Sequence, residues 1–215
     1  MRQGFVKSNP AIGTENPIRG KAPRDRVLAD AELKAIWKNC LDDDFGRIVR
    51  LLLLTACRRD EIGGLRWNEI DLVNCTLKLP KERTKSKRVH ELTLPKSAIT
   101  ILESVRRLNS RETLFGGGAS GYCAWSYGSL QIAKRMAESA DMIAAWRLHD
   151  IRRTVRTRMG KLGVLPHVAE LVLNHAGHKS GIGGVYDHHD YAAEKADALR
   201  KWELHLLGIV SPAGQ

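Results

Sequence analysis

The chain has 215 residues, 43% of them apolar, with 35 Lys and Arg against 24 Asp and Glu, a formal net charge of +11 and a pI near 9.8. That apolar content is enough to bury the core of one compact domain without disulfides or a metal, and no run approaches the roughly 18 apolar residues of a membrane span. The charge favours a polyanionic partner over a neutral metabolite, although membrane lipid and RNA would attract it as DNA would.

In chain order, residues 1–27 contain Pro10, Pro17 and Pro23 and six Lys or Arg against two acids, which reads as a basic linker or arm ahead of a domain over 28–215. The N-terminal Met-Arg-Gln-Gly lacks the apolar stretch of a signal peptide, so a cytoplasmic protein is expected. A helix should start at Asp30, as N-cap, and run through Leu33, Ile36 and Trp37. A second, central helix carries Phe45, Ile48, Val49 and Leu51 to Leu54. Leu77, Leu79, Val89, Leu92 and Leu94 then alternate as two strands joined by the basic connection 80–88. Pro95 opens a helix to about Leu108, residues 115–121 form a glycine loop, and helices resume near Leu130 and continue with interruptions to about Leu207. The expected fold class is α+β, mostly α, with a small antiparallel sheet. Cys40, Cys57, Cys75 and Cys123 have neither disulfide nor zinc spacing, so free thiols are expected.

Some polar residues sit where the apolar pattern alone does not explain them. Arg58 follows the apolar run of the second helix, so its guanidinium needs an anion to offset desolvation. Glu61, three residues on, could supply it internally. Leu148, Ile151, Val155, Met159 and Leu162 fall within about 80° of a helical wheel, with Arg152 at the edge of that stripe and His149 and Arg156 on the same flank. The connection 80–88 is a basic tip suited to phosphate contact, within which composition does not single out one lysine. Tyr186 follows Gly177, Gly181, Gly183 and Gly184, which argues against a rigid helix there.

Arg58 in Thr-Ala-Cys-Arg, Lys85 in Thr-Lys, His149-Asp-Ile-Arg152, His175 in Leu-Asn-His, and Tyr186 in Val-Tyr-Asp together resemble the catalytic domain of the tyrosine recombinases, the phage integrase family. Arg58 precedes His149 by 91 positions, His175 follows Arg152 by 23, and Tyr186 follows Arg152 by 34. The resemblance covers about residues 28–207 and has two departures at glycine positions. Ala56 stands where the family usually has Gly, which matters only if the backbone there is left-handed. Asn174 replaces a second Gly, and the step from His175 to Tyr186 is 11 residues rather than about nine. Lys81 and Lys87 are rivals to Lys85, His178 to His175, and Tyr191 to Tyr186; His188, two after Tyr186, favours Tyr186.

The resemblance implies a helical DNA breaking-rejoining domain, with the family's separate N-terminal DNA-clamping domain absent from this chain. It implies that Arg58, Arg152 and His175 hold the scissile phosphate, with Glu61 orienting Arg58. Tyr186 attacks with help from His149, and Lys85 protonates the departing 5′-oxygen, its pKa lowered by neighbouring arginines. The product is a 3′-phosphotyrosine, formed without ATP, cofactor or metal. Implied partners are double-stranded DNA attachment sites, a homotetramer on DNA built from chains monomeric in solution, and accessory DNA-bending proteins; integration or excision of a mobile element is the implied outcome. A type IB topoisomerase and a non-catalytic DNA-binding relative are the alternatives.

Overall fold

The computed structural model describes residues 25–108, 111–175 and 189–211. Helix α1 spans Asp30–Lys38, and Asp30 is its first residue rather than its cap: the Ala29 N–H donates to Glu32 Oε2 at 2.9 Å, so the cap comes from inside the first turn. Helix α2, Asp44–Thr55, starts with the Asp43 carboxylate accepting the Gly46 N–H at 2.7 Å. Its Phe45, Ile48, Val49 and Leu51 to Leu54 are all buried, as expected of the central helix. Each such side chain contributes roughly 1.5–3 kcal/mol by leaving water.

A short helix α3, Arg59–Gly63, and a 3-10 turn, Trp67–Glu69, lead into the sheet. The sheet has three antiparallel strands in the order β1 (Ile70–Asp71), β2 (Thr76–Leu79), β3 (His90–Thr93), one more than expected. Two residues are too short to show a period, which is why β1 leaves no pattern in the sequence. Leu77 faces Leu92 and Leu79 faces His90, so the inward positions on β3 are even-numbered. His90, Leu92 and Leu94 are buried while Val89, expected inward, is 53% exposed. A polar residue on the core side hides the true alternation.

Helix α4, Lys96–Glu103, has Pro95 at its N-cap and ends about five residues before Leu108. Residues 115–121 form neither helix nor strand, and Gly116 and Gly121 use φ of +77° and +82°. Helix α5, Trp125–Glu138, begins earlier than the expected Leu130. Helices α6 (Leu148–Lys161), α7 (Pro166–Val172) and α8 (Ala192–Val210) follow among the described residues. Helix α2 packs against α4, α6 and α8. Helix α8 packs on its own domain: Trp202 is fully buried with its Nε1–H donating to Leu53 O at 2.6 Å, and Glu203 accepts the Ser97 N–H at 2.7 Å to cap α4.

Candidate active site

The site begins at the tight turn between α2 and α3. Ala56 is fully buried with φ +55°, in the left-handed region, and its N–H closes α2 onto Leu52 O. The replacement of Gly therefore falls on a backbone state that costs an L-residue about 1–2 kcal/mol. This turn carries the chain out of the core and leaves Arg58 at the N-cap of α3. The Arg58 N–H donates to Glu61 Oε2 and its Nη1 to Glu61 Oε1, both at 2.9 Å, with Glu61 only 2% exposed. The internal ion pair therefore coexists with a partly open guanidinium, and Glu61 fixes its orientation.

Helix α6 delivers His149 and Arg152. Asp150, between them, accepts the Arg147 N–H at 2.8 Å and so caps the helix start. Ile151, Val155 and Met159 fill the core as the stripe predicts, but Arg152 lies deeper than the edge position expected: it is 4% exposed. Its two Nη groups donate to Ala56 O and Leu173 O, tying together the turn before Arg58 and the turn before His175. Burial, with Arg58 nearby, pushes its pKa down to about 10, so it stays cationic at neutral pH. His149, on the exposed flank, is held below the usual histidine range by burial and then by Arg152 and Arg153. It is thus neutral near pH 7 and able to accept a proton.

Arg58, Lys85, His149 and Arg152, from three separate segments, line one cavity of about 610 Å³. Lys81 and Lys87 are not among its lining residues. Arg59 and Arg147 add to its positive wall, with Asp60 as the single carboxylate among the lining residues. The N-terminal ends of α5 and α6 open on the cavity through Trp125, Ser126, Leu148 and His149, so two helix dipoles reinforce the charge. Trp125 forms a wall, with Arg59 stacked over its ring at 5.4 Å. A Cβ on Gly63 would lie 2.4 Å from that indole, so Gly63 is what lets α3 pack flush against it. The arrangement suits a phosphodiester held between guanidinium groups.

His175 lies just past α7, after Asn174 at φ +50°. This second Gly replacement also sits on a left-handed residue, but Asn tolerates that state far better than Ala. His175 Nδ1 bonds to Glu170 Oε2, and Glu170 Oε1 accepts from Arg156 Nε at 2.5 Å. Burial works to raise the Glu170 pKa, but the bonds from Arg156 and His175 outweigh it and hold the carboxylate ionised. A carboxylate on Nδ1 fixes the ring and turns Nε2 outward, where it can meet a phosphate oxygen. Tyr186 and the rival His178 lie outside the described residues. The rival Tyr191 has its ring 4.5 Å from that of His189 and 5.5 Å from that of His167.

Glu170 and Arg156 were not legible as a pair, since no helical period connects Glu170 to His175. The contact arises because α7 ends between them and the His175 N–H folds back to Glu170 O at 3.1 Å. Behind the cavity, Cys57, Glu61 and His90 form a buried group whose donor atoms lie within 4.8 Å of one another. Glu61 is committed to Arg58, and burial, then Glu61, push the Cys57 thiol up to about 12. With two guanidinium groups adjacent, these three residues are poor cation ligands.

The phage integrase family model matches residues 26–193. A prophage integrase of Escherichia coli strain K12, IntZ, is 27% identical over 98% of this chain and 52% of its own length. The chain thus spans about half the length of that relative. An integrase from mycobacterium phage Brujita shares the fold with a TM-score of 0.66 at 16% identity, over 98% of this chain and 71% of that one. The Tn1549 transposon integrase, solved in complex with transposon right end DNA, gives a TM-score of 0.59 at 17% identity over 94% of this chain and 73% of that one. With cations from three segments lining one cavity and a family match over most of its length, the chain belongs to the phage integrase family.

Proposed function

We propose that this domain cuts and rejoins double-stranded DNA at a specific site, through a 3′-phosphotyrosine on Tyr186, to integrate or excise a mobile element. The observation that carries the proposal is the convergence of Arg58, Lys85, His149 and Arg152 on one cavity. Arg58, Arg152 and His175 hold the non-bridging oxygens, where charge accumulates in the transition state. The Tyr186 hydroxyl attacks phosphorus while His149 takes its proton. The bond from phosphorus to the 5′-oxygen breaks, and Lys85 gives that oxygen a proton. The phosphotyrosine retains the energy of the broken bond, so rejoining to a new 5′-hydroxyl needs no nucleotide. The proposed partners are attachment-site DNA and three further copies of the chain on two duplexes, in the cytoplasm. Among the described residues no helix is long and apolar enough to cross a membrane.

The test uses duplex DNA from the region flanking the gene, nicked beside the cut position so that the released fragment diffuses away. Wild-type protein and Tyr191→Phe should accumulate a covalent adduct, Tyr186→Phe none, and peptide mass spectrometry should find the nucleotide on Tyr186. An adduct on another residue would refute the proposal. Cleavage indifferent to sequence, with relaxation of supercoils, would instead indicate a topoisomerase. Tight DNA binding that never yields an adduct would indicate a binding protein.

A further inference from the structure

The connection between β2 and β3 is built around two residues that the catalytic reading leaves unused. Thr84 is 2% exposed, and its Oγ1 donates to Arg88 O at 2.6 Å and accepts the Arg88 N–H at 3.2 Å, so the connection closes on itself. Arg83, beside it, leaves the hairpin altogether. Its Nη2 donates to Glu61 O at 2.7 Å, its Nη1 to Gly64 O, and its Nε lies 3.0 Å from Glu69 Oε1. Glu69 is 6% exposed, so this is a desolvated ion pair. A Cβ on Gly64 would stand 2.9 Å from Arg83 Nη1, so the absence of a side chain there gives the guanidinium its path.

We propose that Arg83 is a positioning residue for Lys85: it fastens the β2–β3 connection to the end of α3, the helix whose first turn presents Arg58 to the phosphate. A single residue, the buried Thr84, separates the anchor from the lysine. The spacing from proton donor to phosphate-holding arginine is thereby set through one short helix rather than left to a free hairpin tip. A planar fork that bonds two carbonyls while its charge sits against a buried carboxylate is specific to arginine; a lysine would satisfy one of these contacts. The inference rests on the reading of Lys85 as general acid, and a purely structural role for Arg83 predicts a different result.

The experiment measures single-turnover cleavage on two DNA substrates of one sequence, with either oxygen or sulfur bridging phosphorus to the 5′-carbon at the scissile position. A 5′-thiolate leaves without a proton, so loss of the general acid is relieved on sulfur. Lys85→Ala should be slowed about 10²–10⁴-fold on oxygen and regain most of that on sulfur. Arg83→Met should be slowed on oxygen by about 10²-fold, the effect of a misplacement near 1 Å, and be relieved on sulfur in the same way. Glu69→Gln, which keeps both carbonyl bonds of Arg83, should show a smaller loss with the same relief, and it carries the comparison if Arg83→Met does not fold. Equal slowing of the Arg83 and Glu69 variants on both substrates, or none, with Lys85→Ala relieved, overturns the positioning role alone. Lys85→Ala slowed equally on both substrates overturns the general-acid reading and the inference with it.

Discussion

His90 gives the sharpest test of how the core behind the cavity is built. It is 3% exposed on β3, its Nε2 bonded to Val172 O at 3.0 Å, and its Nδ1 has no hydrogen-bond partner. Burial pushes its pKa down from 6.5 to about 4; Glu61 and the Val172 bond oppose this, while Arg152 and Lys195 add to it. Between pH 6.5 and 4 the unfolded chain binds a proton at His90 that the folded chain refuses, so stability rises with pH across that window and is lost as pH falls through it. At about 1.36 kcal/mol per pKa unit, a drop from pH 7 to 4.5 should cost about 2.5 kcal/mol through this group alone. Other titrating groups contribute too, so the reading is differential. Urea unfolding of wild type and His90→Gln at both pH values should show the variant about 1 kcal/mol less stable at pH 7, for the altered Val172 bond, but with a pH dependence flatter by about 2.5 kcal/mol. Stability curves for the two proteins that run parallel from pH 7 to 4.5 would refute the buried, neutral histidine.

Arg152→Ala should lower the single-turnover cleavage rate by about 10²–10³ while DNA affinity, spread over many cations, falls little. Because Ala56 O and Leu173 O lose their donor, the same variant should also lose roughly 2–4 kcal/mol in a denaturant titration. Ala56→Gly should stay within about 1 kcal/mol of wild type, since relief of about 1–2 kcal/mol of left-handed strain is offset by the lost methyl and the entropy of Gly. Ala56→Val, β-branched and buried at φ +55°, should cost more than about 2 kcal/mol by the same assay. Glu170→Gln should slow cleavage about 10-fold, because His175 Nδ1 loses the carboxylate that fixes its ring; a cleavage rate equal to wild type would exclude that role.

What could be read from the sequence was whatever repeats at short range. The α2 run, the α6 stripe and the boundary role of Pro95 follow from periods of a few residues, and the helices lie where those periods put them. Strand β1 and the inward face of β3 were not legible, the first for want of length and the second because His90 occupies an apolar position. The site divides in the same way. Residue type and order single out Arg58, His149 and Arg152, but the depth of Arg152 depends on two carbonyls 96 and 21 residues away, which no local pattern encodes. Those carbonyls also explain why the two missing glycines matter together. Ala56 and Asn174 are both left-handed, and each adjoins or carries a carbonyl that a cavity-lining arginine holds: Ala56 O and Leu173 O by Arg152, and Asn174 O by Arg58 at 3.5 Å. The turns must bend this way to aim their carbonyls inward, so the strain of a non-Gly residue there is borne by the same guanidinium groups that line the cavity. Ala56 and Arg152 should accordingly be coupled: the double variant Ala56→Gly, Arg152→Lys should be more stable than the sum of its single effects predicts, because a turn freed of its methyl can relax once the fork that held it is gone.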